Sequence, residues 1–403
     1  MGRAIEAAAA EGAIDGFVAL VGSGPWAARI SELEARIGGG SRLARAVQQR
    51  HALELAINRL RRTGGRALTR GERQLSALAG ALAAAADGLG PAGRDRLRAA
   101  LRAALADEHT LVPIFHLART AELQRARGFS VFHAGLAEAA PFDLLIEREG
   151  SVAEIICEVV SAEDGRDVHR GAWFRLVDRI DPDLQTWLAA HPGRYLLKMT
   201  LPQGLRAEAG EEPATLAALQ ARIRQMLESQ RRADHDEAAV LRLDPLLLAG
   251  AQADENGLLS SLRRQFGPEA HLAVTAAGGG VFVMAARAGR INEVAVAVRR
   301  RMAAIAPARL TGSRPGILAM FVEDVDRSEW RGLRERLELE GEARQFLTYP
   351  EARPVVAVSC SSRFELLGAA EPDAAPEGEL RFRSPSHPAA RAPALAAAVL
   401  SSP

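Results

Sequence analysis

The stretch from Phe142 to Arg166 constrains this chain more than any other. Two apolar runs flank the polar break Arg148 to Ser151, a pattern that predicts a β-hairpin with Gly150 at the tip of a short loop. Side chains alternate faces along a strand, so Asp143 and Leu145 share one face and Ile156, Glu158 and Val160 share one. A turn centred near Gly150 sets Asp143 opposite Ile156 and diagonal to Glu158, within reach of one shared cation. Carboxylates placed in apolar strands are costly unless paired, protonated or bound to metal. This pair is therefore the first candidate for function.

At 403 residues the chain should form two or three units. It has no apolar run long enough to span a bilayer, and its first residues mix charge into alanine without a signal-peptide layout. A cytoplasmic protein without a membrane partner is expected. Cys157 and Cys360, the two cysteines, lie inside apolar runs and supply neither a disulfide framework nor a zinc cluster. A net charge of +1 means that any nucleic-acid footprint must be local. Lys198 is the sole lysine among many arginines.

Residues 1–106 read as helices punctuated by glycine. Arg59, Arg61, Arg62 and Arg66 belong to an arginine-dense stretch that faces only Glu54 and Glu72 in the local sequence. It reads either as a nucleic-acid-binding surface or as a solvated helix face. A helix over 107–127 carries Pro113 in its first turn and Glu122 further on; a strand over 129–133 and the hairpin follow. Next come a helix that Pro182 breaks or re-starts and a strand from Tyr195 to Leu201. Residues 206–368 form a further α/β region. Within it Ala277 to Gly280 reads as a hairpin turn, and Glu323 to Asp326 as a helix cap or a second metal site. The Pro- and Ala-rich residues 369–403 read as a disordered tail. The fold class is α/β.

Over 107–205 the order helix, strand, strand, strand, helix, strand, with acidic residues on the first helix and on the second and third strands, resembles the PD-(D/E)XK nuclease superfamily. That resemblance implies a restriction-endonuclease-like core. It makes Asp143 and Glu158, with Glu122, ligands for Mg²⁺ or Mn²⁺, and implies hydrolysis of nucleic-acid phosphodiesters by a metal-activated water. Val160 departs from the pattern, standing where the family has a lysine. Lys198 on the strand expected beside the third one, or Arg166, then supplies the missing cation; otherwise Lys198 guards a sheet edge and Arg166 is a helix-entry contact. Three functions follow: a metal-dependent nuclease, an inactive nuclease fold that binds nucleic acid or a protein, or an unrelated α/β protein with acids in solvent.

Overall fold

The computed structural model describes residues 2–62, 67–206, 214–246 and 270–402, with positions 261, 262 and 266. The chain is mixed α/β and divides into two units. One comprises residues 1–36, 48–162 and 295–403; the other comprises 37–47 and 163–294. No helix of the described residues is long and apolar enough to cross a membrane.

In the first unit, helices α1 (Gly2–Val21), α2 (Ser23–Ile37), α4 (Ala52–Arg62), α5 (Arg70–Gly88), α6 (Pro91–Ala104) and α7 (Val112–Ala126) precede the sheet, while α3 (Arg42–Arg50) straddles the two units. Local chemistry sets their starts. Thr69 and Glu72 form a reciprocal capping box on α5, and Pro91 opens α6, where its missing N–H costs nothing. Phe17, Trp26, Ile57, Leu75 and Phe115 form one core.

The sheet of this unit begins with β1 (Ser130–Phe132), followed by the short α8 (Ala134–Glu138), β2 (Leu144–Arg148) and β3 (Ser151–Ser161). The β2–β3 hairpin pairs Leu144 with Ile155 and Arg148 with Ser151. Glu149 and Gly150 both have positive φ, 52° and 75°, the backbone of a type I′ turn that matches the twist of its strands. After the second unit come α11 (Val294–Arg309), β9 (Gly316–Glu323), α12 (Arg327–Glu335), α13 (Glu338–Phe346), β10 (Val355–Ser362), α14 (Arg363–Leu366), β11 (Leu380–Arg383) and α15 (Ala396–Val399). The strand order is β1-β2-β3-β9-β10-β11, with β9 parallel to both β3 and β10. The apolar runs of β9 and β10 are buried along nearly their whole lengths, as parallel strands covered on both faces require.

The second unit holds α9 (Arg170–Ala190), β4 (Arg194–Leu201), α10 (Ala214–Glu228), β5 (Ala233–His235), β6 (Val240–Pro245), β7 (His271–Ala277) and β8 (Gly280–Ala288). Its strand order is β5-β6-β4-β8-β7. Trp173, Leu176 and Ile180 of α9 pack with Ile223 of α10 and Phe282 of β8. Gly278 and Gly279, both at positive φ, close the β7–β8 hairpin. Segment 37–47 joins this unit through Arg42, whose backbone N–H donates to Asp178 and whose guanidinium reaches Asp181 at 3.1 Å.

Four expectations need correction. The six-stranded sheet draws strands from 107–205, from 206–368 and from beyond 368, so it crosses both expected boundaries. Residues 1–106 are not a separate body, because their core takes in Phe321 of β9 and Leu366 of α14. Residues 369–402 are ordered: β11 pairs with β10, and Phe382, Leu395 and Val399 are buried. A few apolar side chains in a Pro- and Ala-rich stretch suffice to dock it. Pro182 lies inside an unbroken α9, where the Thr186 hydroxyl donates to the Pro182 carbonyl at 3.0 Å.

Candidate functional site

Asp143 ends the loop between α8 and β2, and that loop is drawn in tightly. Gly135 N donates to the Asp143 carbonyl, and a Cβ at Gly135 would lie 3.0 Å from the Phe142 carbonyl oxygen, so a side chain there would crowd the loop. The hairpin register carries Glu158 to the neighbouring position on β3. A cation does join the two carboxylates, and it is Arg309, the last residue of α11. Its Nη2 lies 2.8 Å from Asp143 Oδ1, its Nη1 3.2 Å from Glu158 Oε2, and its Nε donates to the Pro141 carbonyl at 2.8 Å. The second oxygen of each carboxylate is also engaged. Cys157 N donates to Asp143 Oδ2 at 2.7 Å, and Arg301 Nε donates to Glu158 Oε1 at 2.8 Å.

Burial pushes the Asp143 carboxyl above the usual aspartate range, while Arg309 and the Cys157 N–H pull it back. Each of the four carboxylate oxygens has a protein donor, and two guanidiniums balance two carboxylates. This donor set does not fit Mg²⁺ or Mn²⁺, because the position between the carboxylates belongs to Arg309. Among the described residues there is no group of three or more His, Cys, Asp or Glu that could hold a metal.

The other proposed site residues lie elsewhere. Glu122 is bound by Arg125 one turn along α7. Lys198 is on β4, which belongs to the second unit's sheet and not beside β3. It is not at an edge either, since β4 lies between β6 and β8, and it pairs with Asp244 at 2.9 Å. Arg166 also belongs to the second unit, almost wholly buried and ion-paired to Glu163. Val160 is buried opposite Val322 of β9. On α4, Arg61 pairs with Asp15 and Arg62 with Glu34, while Arg59 is exposed and Arg66 lies outside the described residues. The counter-charges come from α1 and α2, and Glu54 is fully buried, so local sequence gave the wrong balance for this face.

Arg301 and Arg309 were missed. They lie 143 and 151 residues beyond Glu158, which no local pattern spans. One signal was available. The sequence of α11 has arginines and no acid, so its counter-charges had to come from other elements.

The acidic cluster after β9 serves structure. Asp326 caps α12 in a capping box with Glu329. Ser161 Oγ and Arg50 Nη1 hold Asp324, and Thr110 Oγ1 donates to Glu323. Burial, reinforced by Asp324 and opposed by Arg50, pushes Glu323 up to about 7. A raised folded-state value means that the native protein keeps a proton the unfolded chain has lost, so stability falls as pH rises from about 4.5 to about 7. Glu323→Gln, which keeps an acceptor for Thr110, should remove that decline and raise the folding constant at pH 8 on the order of tenfold. Urea melts at pH 5, 6, 7 and 8 check this; identical pH slopes in the two proteins would count against it.

No family model, no curated protein and no solved structure matches this chain.

Proposed function

We propose that this chain is a non-catalytic binding protein built on a PD-(D/E)XK-like core, in which an internal guanidinium stands where such a core would hold its metal. The observation that carries the reading is Arg309 bridging Asp143 and Glu158. Val160 points the same way, since an apolar side chain offers neither proton nor charge to a reaction. Topology adds support. The order helix, strand, strand, strand, helix, strand is completed by α7, β1, β2, β3, α11 and β9, with β9 parallel to β3 and the second unit's 163–294 inserted between β3 and α11. The nuclease reading is less favoured because its two metal ligands already neutralise Arg301 and Arg309.

Calorimetric titration of Mn²⁺ and of Mg²⁺ into the protein tests this. The expected result is no saturable heat in wild type. Saturable uptake that disappears in Asp143→Ala/Glu158→Ala would overturn the proposal and restore the nuclease reading.

A further inference from the structure

Within the first unit a groove of about 860 Å³ opens where β10 begins and β11 ends. Arg344, Arg353, Arg383 and His387 line it together with Tyr349, and no carboxylate does so among the described residues. Some guanidiniums of this unit are neutralised by carboxylates, as Arg299 is by Glu342, Arg331 by Asp373 and Arg127 by Glu379, and others, such as Arg94 and Arg96, are held by backbone carbonyls. In the groove, the Arg353 side chain is exposed and has no hydrogen-bond or ion-pair partner among the described residues. Among the described residues the Arg383 side chain reaches only the Ala390 carbonyl, at 3.4 Å, while Arg344 is paired with Glu340 at 2.7 Å. Guanidiniums left without carboxylates on one concave surface suit a doubly charged oxyanion, which their planar donor forks can grip at two oxygens.

The walls add selectivity. Arg299 donates to the Tyr349 hydroxyl and lies 5.7 Å from its ring centroid, which holds the ring in place as a flat apolar surface. Pro350, Pro385 and Pro388 also line the groove. His387 Nδ1 accepts the Ala389 N–H at 3.1 Å, so in the neutral ring the proton is on Nε2, which leaves a donor for a ligand. The C-terminal end of α13 opposes an anion weakly, and Arg344 in its last turn offsets that.

We propose that this groove binds a small phosphomonoester whose phosphate adjoins a flat apolar group. Arg353 and Arg383 hold the phosphate oxygens, and Tyr349 with the prolines packs against the flat group. This site is separate from the carboxylate centre and stands whether or not that centre is catalytic. The test is calorimetric titration of phenyl phosphate and of inorganic phosphate into the full chain. Phenyl phosphate should saturate and bind at least about tenfold more tightly than inorganic phosphate. Arg353→Ala/Arg383→Ala should weaken phenyl phosphate by about tenfold or more, and Tyr349→Leu should erase its advantage over inorganic phosphate. Thermal melts establish that the variants fold; Arg353 is exposed and Arg383 gives up one long hydrogen bond. Failure of phenyl phosphate to saturate wild type overturns the proposal, as does unchanged affinity in the double arginine variant.

Discussion

Glu379→Ala should destabilise the protein by about 3–5 kcal/mol, the cost of removing one partner from a buried ion pair. Glu379 lies just before β11 and is 4 % exposed, as little as a core leucine. Its Oε1 accepts from Arg127 Nη1 at 2.6 Å, and Arg381 Nε lies 4.0 Å away. Arg119, itself buried and held below the usual guanidinium value by desolvation, also depends on this carboxylate for attraction. Without Glu379 the buried guanidiniums of Arg119 and Arg381 and the half-buried one of Arg127 would be left with the Gly378 and Ala397 carbonyls and Glu377. The loss should begin at the C-terminal segment. Limited trypsin digestion should cut first at Arg383 and Arg391 in Glu379→Ala, and urea melts should show a lowered midpoint. Pairing the change with Arg127→Ala should recover part of the loss, because it removes one of the orphaned charges. A variant as stable as wild type would show that Glu379 does not pin this segment.

Arg309→Ala should cost about 2–3 kcal/mol, less than for a fully buried pair because water screens a partly exposed one. The side chains of Arg309, Asp143 and Glu158 are 29 %, 24 % and 13 % exposed. Burial holds the Asp143 carboxyl high even with Arg309 present, so the pair adds little net stability, yet its breakage leaves an uncompensated carboxylate. The double change Asp143→Asn/Arg309→Met should therefore recover most of the loss, since it removes one charge of each sign and leaves Glu158 paired with Arg301. Added Mn²⁺ should recover part of the stability of Arg309→Ala and none in Arg309→Ala/Asp143→Asn. Urea melts with and without Mn²⁺ read both effects. If Mn²⁺ raises the wild-type midpoint as well, Arg309 does not fill the cation position.

Several parts of this protein were legible in the chain. The hairpin at Gly150, the glycine turn before β8 and the apolar runs of β9 and β10 follow from period-two patterns and turn residues that act within a few positions. The closeness of Asp143 and Glu158 follows from the same register, so half of the carboxylate centre could be read directly.

The other half could not. Sequence alone determined most of the helices and strands before β11, and that two acids lie close on one hairpin, because those choices are made by local backbone preference and side-chain alternation. Tertiary structure decided what the acids meet. It set β9, not β4, beside β3, brought Arg309 from 151 residues beyond Glu158, and seated the Pro- and Ala-rich C-terminal stretch on β10. Strand neighbours are fixed by which apolar faces bury one another, and a charge placed among them takes whichever opposite charge the packing delivers. Neither leaves a mark at fixed spacing along the chain.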